Sequence, residues 1–349
     1  MRLLFQMKKI LFIIISSQIL LSCVKDKPQD NIQPKVQLTN AKKVYVINEG
    51  VFPNGNAEVS LFDTGNDAVI EKFYSTQNSN AALGDVAQSM NYFNNRFYIV
   101  VNNSHKIIVC DQEFKKIGQI SSLNSPRYIM PVTNQKAYVS DLYANAISVI
   151  DLNTNTKTVS IPCPGWTEEM AHIYNKVFVT NIKRNYIYVI NTINDTKSDS
   201  IHVGINAGSV VIDKNDKVWV LSGGDNQNAI LGKLSKIDPA TNQVEASFTF
   251  GTNESPGTLK LNKTKDTLYY LKGGIYRMAV TDLNLPSTEF ISKGTKNFYG
   301  LGVNPNDHTI YAADALDFNS RSNIYIYNAN GIEKKNFKAG LNANGFYFE

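Results

Sequence analysis

The chain is poor in the residues that build reactive or metal-binding sites. Of its 349 residues only three are cysteine and four histidine. Cys23, Cys110 and Cys163 are too few for a disulfide-stapled scaffold. Cys110 closes the apolar stretch 107–110 and reads as a buried small hydrophobe, with a bond to Cys163 in an oxidising compartment as the alternative. His105, His172, His202 and His308 are scattered, with no i, i+4 pair and no cysteine partner, which argues against zinc. Neither a G-x-S-x-G elbow nor a phosphate-cradling glycine loop occurs. Helical periodicity is lacking too: beyond residue 22 no stretch longer than two turns carries it, which disfavours a two-domain α+β reading.

An excess of charge is also missing. Arg2, Lys8 and Lys9 precede an apolar run at 10–15, and the segment ends on Leu20-Leu21-Ser22-Cys23. This reads as a secretory signal over 1–22 whose end resembles a bacterial lipobox, with Cys23 as the lipidated residue and 23–42 as a polar tether. The expected location is the outer membrane, lipid-anchored and facing the exterior. Without those three residues the 35 basic residues become 32, against 30 acidic ones, so no basic surface for nucleic acid is expected.

What the chain does have is repetition. A strand with an aromatic third residue recurs at 43–49, 96–102, 136–142, 176–182, 217–223, 267–273 and 309–315. The aromatics Tyr45, Tyr98, Tyr138, Phe178, Trp219, Tyr269 and Tyr311 are spaced by 53, 40, 40, 41, 50 and 42 residues. Such periods belong to propeller blades. A second strand follows each copy, often ending on Asp or Asn. A further strand, often carrying small residues, precedes each copy except the first, and one more stands at 342–349. The economical solution is an all-β, seven-bladed β-propeller over 43–349, in which 342–349 completes the blade begun by 43–74 and closes the ring.

Strand alternation places the loop before each inner strand and the loop after each aromatic strand on one face. Candidate ligand-binding residues there are Asn48, Glu49, Asp85, Asn102, Arg127, Tyr128, Asp141, Tyr143, Trp166, Glu168, Asn181, Tyr299, Asp314 and Phe318, with Gln88 and Glu169 nearby. Aromatic surfaces beside Asn, Asp and Arg suit a large polar ligand. The competing reading of any single Asn or Asp is a turn cap. Glu49, Asn102, Asp141, Asn181 and Asp314 could instead converge on Ca²⁺ through hard oxygens, as in a propeller hydrolase. No catalytic residue and no resident metal is assigned.

The segments NEGVFPNGNAEVSLFD, GDVAQSMNYFNNRFYIVVNNSHKI, SPRYI, KAYVSDLYANAISVID and YGLGVNPNDHTIYAADALDF resemble the BtuG-type, cobalamin-binding surface lipoproteins of Bacteroidetes, built on the YncE-like seven-bladed propeller. The resemblance implies a non-enzymatic protein without a resident cofactor. It would capture cobalamin (vitamin B12) or a related corrinoid and deliver it to a TonB-dependent outer-membrane transporter. The alternatives are a surface propeller for a glycan, peptide or protein, and a Ca²⁺-dependent propeller hydrolase.

Overall fold

The computed structural model describes residues 38–349; the signal segment, Cys23 and most of the tether lie outside the described residues. Alternating apolar residues, broken every few positions by Asn, Asp or Gly turns, produce short antiparallel strands. The strands assemble into seven sheets, six with four strands and one with three. Six sheets run in chain order. The seventh joins the two ends of the described chain: Ala343–Phe348 pairs with Lys43–Asn48, with Val44 opposite Phe348 and Val46 opposite Phe346. The ring is therefore a seven-bladed propeller closed by its C-terminal strand, as the repeat count predicts.

The core lies between blades, because a sheet two faces deep in neighbours buries both faces. Tyr98, Tyr138, Phe178 and Trp219 are fully buried, and Tyr45, Tyr269 and Tyr311 nearly so. Tyr45 of the first blade stacks near Phe97 of the second at 5.0 Å, and Tyr311 of the last meets Phe348 of the first at 5.1 Å. The repeated aromatic is thus the inter-blade wedge. Each such ring contributes about 1.5–3 kcal/mol of apolar burial, which explains why every copy needs one.

Two local departures from the repeat also have physical causes. The short helix Phe73–Gln77 buries Phe73 and Tyr74 where the first blade has only the stub Ala68–Ile70 as its outer strand. Cys110 and Cys163 are buried free thiols, and burial pushes both up to about 12. They act as small apolar fillers rather than as a bonded pair.

Candidate functional site

The seven inner strands are Ala87–Phe93, Pro126–Pro131, Thr167–Ile173, Ala207–Ile212, Gly257–Leu261, Phe298–Val303 and Ala343–Phe348. Each pairs with its neighbour through a register shift near its first residues. A bulge adds a residue on one side of the ladder and re-aims its side chain. The residues inside these shifts are Gln88, Arg127 and Tyr128, Glu168 and Glu169, Gly208, Thr258, Tyr299 and Asn344. One backbone device, repeated in every blade, thus delivers one or two positions per blade to the same end of the channel. Thr258 holds φ +51, a region a β-branched residue rarely occupies, so its bulge persists against local preference.

What differs between blades is the side chain delivered. Arg127 donates from Nε to both oxygens of Glu168, at 3.0 and 2.9 Å, and from Nη1 to Gln88 Oε1. Tyr299 donates its hydroxyl to Glu49 at 3.0 Å from each oxygen, and Asn344 Nδ2 reaches Glu49 at 2.7 Å and the Gln88 carbonyl at 3.0 Å. Lys260 pairs with Glu169 at 3.0 Å, and Glu169 also accepts from the Val210 amide. Five blades therefore contribute to one polar cluster. The bulges at Gly208 and Thr258 supply small side chains and leave an open sector.

That sector opens into a cavity of about 530 Å³ running down the channel. Gln88, Tyr128, Glu168, Glu169, Lys260 and Asn344 line it. Burial raises Glu49 above the usual carboxylate value, against hydrogen bonds from Asn344 and Tyr299 and the nearby Arg127 charge. Burial likewise raises Glu168, opposed by Arg127. For Arg127 the desolvation that would lower it is outweighed by Glu168, and its value is raised. The cluster is a set of carboxylates biased toward holding a proton, beside a guanidinium that cannot lose one. Among the described residues no hydrogen bond engages Arg127 Nη2.

The candidate residues separate into three groups. In the first, Tyr128 and Glu168 line the cavity, and Arg127, Glu49 and Tyr299 join it through hydrogen bonds: Arg127 to Glu168 and Gln88, Asn344 to Glu49, and Tyr299 to Glu49. A second group consists of strand-end clamps. Asn48 donates to Ser60 Oγ at 3.0 Å and to the Glu58 carbonyl, and accepts from the Gly340 amide at 2.9 Å. Asn102 donates to Ser125 Oγ and the Pro126 carbonyl at 2.8 and 3.0 Å. Asp141 accepts from the amides of Asn124, Ser125, Tyr143 and Ala144 at 2.7–3.1 Å. Asn181 donates to the Pro164 carbonyl and accepts from the Lys183 amide, and Gly165 is required beside it because a Cβ would lie 2.7 Å from the Asn181 amide. Asp314 accepts from the amides of Asn297 and Leu316. The side-chain oxygens of Asn48, Asp141, Asn181 and Asp314 accept from backbone amides, Asn102 is held through its amide nitrogen, and among the described residues no group of three or more His, Cys, Asp or Glu side chains is placed to hold a metal ion.

The third group sits on the rim. Tyr143, 54% exposed, packs edge-on to Trp166 at 5.7 Å, and Lys183 lies 4.0 Å over the Trp166 ring. Phe318, 43% exposed, packs edge-on to Tyr299 at 5.2 Å and so joins rim to cluster. Asp85 belongs to none of these groups: its amide donates to Ser104 Oγ, and its Oδ1 is buried without a partner. Sequence reading does not single out Lys260 or Asn344. Asn344 lies one residue into the ring-closing strand, the same offset as Gln88, Arg127, Glu168 and Tyr299, and that offset is the signal that could have found it.

Solved structures share this shape. A quinonprotein alcohol dehydrogenase-like protein from Bacteroides thetaiotaomicron is similar at a TM-score of 0.68 and 14% identity, over 88% of this chain and 78% of that one. A periplasmic gluconolactonase from Pseudomonas aeruginosa is similar at 0.66 and 9% identity, over 88% and 99%. A functionally unknown protein from Desulfotomaculum acetoxidans is similar at 0.65 and 11%, over 88% and 98%. At these identities the likeness is one of fold, and it corrects the expectation of a non-enzymatic cobalamin-transport protein. Resemblance to YncE-like, B12-transporting propellers is resemblance in a fold that a gluconolactonase shares, so it does not carry the role with it. No curated protein matches the chain. The family described as a domain of unknown function (DUF5074) matches residues 42–349, and the chain belongs to that family.

Proposed function

We propose that the channel mouth is a hydrolytic site for carboxylic esters of the lactone type. The observation that carries this reading is that Glu168, one of two protonation-biased carboxylates, lines an open cavity while bonded to the buried Arg127 guanidinium, and that the other, Glu49, is bonded to the cavity-lining Asn344. Glu49, oriented by Tyr299 and Asn344, takes a proton from water as the water oxygen bonds to the substrate carbonyl carbon. Arg127 offers Nη2 to the oxygen that becomes negative, in a site where burial strengthens that interaction. The ring C–O bond then breaks, the alkoxide recovers the proton from Glu49, and a hydroxy acid is left. Glu168 holds Arg127 in place. The gluconolactonase likeness is in keeping with this chemistry. The lipid anchor read at Cys23 places the enzyme at the outer membrane surface.

A second reading, capture of a larger polar ligand above the mouth, is favoured by the exposed Tyr143–Trp166 pair with Lys183 across its face.

Hydrolysis of γ-butyrolactone and δ-gluconolactone by the purified protein, followed by acid release, tests the main reading. Glu49→Gln is expected to slow turnover by about 10²–10⁴-fold. Because Glu49 is raised above 4.5, activity should rise with pH through an inflection above that value. The sign for stability is opposite: a carboxyl raised in the folded state contributes stability below its unfolded value and loses it as pH rises through the folded one. Stability should therefore fall across the window in which Glu49 and Glu168 ionise, while activity appears. Absence of hydrolysis with every lactone and simple ester would end this reading.

A further inference from the structure

We infer that the substrate carries an aliphatic arm that fills the channel below the polar mouth. This rests on the hydrolytic reading of the same site and names its substrate class. The cavity changes character along its length. At the starts of the inner strands it is lined by Gln88, Glu168 and Asn344; toward their ends the lining is Val211, Leu261, Val303, Phe346 and Phe348. Val211, Leu261, Phe346 and Phe348 are only partly buried, so apolar surface faces the channel. A smaller cavity of about 190 Å³ shares Met90, Tyr128 and Lys260 with the main one and adds Met130 and Met170.

Three of the four methionines among the described residues thus line this one region, and the fourth, Met278, is buried between blades. Methionine provides an adaptable apolar wall suited to a flexible chain. Among the described residues, the only charged ones lining the cavity besides Glu168 are Glu169 and Lys260, which neutralise one another at 3.0 Å. The lower channel therefore offers no uncompensated charge to a second polar group. A polyhydroxylated substrate would leave its hydroxyls facing carbon there, whereas an alkyl arm is transferred out of water. The geometry sets the polarity of binding: carbonyl at the Glu168 end, beside the Arg127 bonded to it, arm toward Phe348.

The test is a homologous series of γ-lactones from γ-butyrolactone to γ-decalactone. We expect kcat/KM to climb about three- to fourfold per added methylene until the arm is filled. Leu261→Gln should flatten that slope. A series without chain-length dependence, alongside measurable butyrolactone hydrolysis, overturns the aliphatic arm and leaves the hydrolase. Binding by calorimetry separates the two readings when turnover is absent. Octanoate binding more tightly than butanoate would support the arm even then, and equal affinities would overturn it.

Discussion

Two sets of polar residues occupy the same end of this ring and do different work. Asn48, Asn102, Asp141, Asn181 and Asp314 stand at the ends of the aromatic strands of five blades, and each bonds nearby backbone. Glu49, Gln88, Arg127, Glu168, Tyr299 and Asn344 stand a few residues away, each in a different chemical pairing. The first set repeats in type because each blade poses the same problem: orphan backbone groups at a tight loop need a partner. Apart from Glu49, which follows Asn48, the second set repeats only in position. Where a repeat protein delivers the same offset in every blade but varies the side chain, the variation is free to build a site. Polarity at the mouth is therefore not a sign of function; polarity that breaks the repeat is.

The largest effect is expected from removing what both sets share. Deleting 342–349 takes away Asn344 from the cluster and Asn342, whose amide donates to the Gly50 carbonyl at 2.8 Å, from the loop clamps. It also removes Phe346, Tyr347 and Phe348 from contacts with Tyr45, Phe97 and Tyr311. Aromatic burial at about 1.5–3 kcal/mol per ring is a large share of a stability of about 5–15 kcal/mol. The ring should lose its cooperative thermal transition, read by circular dichroism. An unchanged transition would mean that closure contributes little.

Arg127→Ala should come next. Glu168 is 4% exposed and would lose the guanidinium that opposes its desolvation, leaving it either an unpaired buried charge or a buried acid that must take up a proton. Breaking a buried pair in this way costs about 3–5 kcal/mol, measured by urea unfolding, and abolishes lactone turnover. Adding Glu168→Gln should restore part of the stability but none of the turnover. If the double variant is no more stable than the single one, the pair is not the coupled unit described.

Sequence made the architecture legible because its causes are periodic. Seven aromatic wedges and a lone strand at 342–349 are enough to require a closed ring. The mouth was legible only as a face. Asp141 and Glu168 look equally suited to a ligand in the sequence, and nothing local tells a clamp from a cluster. The difference arises from a one-residue register shift, which moves a side chain from one side of the strand to the other. Lys260 shows the other limit: it reaches Glu169 from 91 residues away, a pairing that no local pattern encodes.

The smallest effect tests the other side of the comparison. Asp141 is buried and accepts from four amides, joining the loop before its inner strand to the loop after its second strand. Asp141→Ala leaves these donors without an acceptor, and the exposed ones can turn to water while Ser125, 1% exposed, cannot. A loss of about 1–3 kcal/mol is expected, the cost of one buried unsatisfied donor. Asp141→Asn, which keeps one acceptor oxygen, should lose less. Because among the described residues no hydrogen bond or ion pair links the Asp141 carboxylate to Glu49, Arg127 or Glu168, the turnover of the folded fraction should match that of the parent. A fall in turnover larger than the fall in folded protein would show that the clamp also shapes the cluster, and the division between the two sets would not hold.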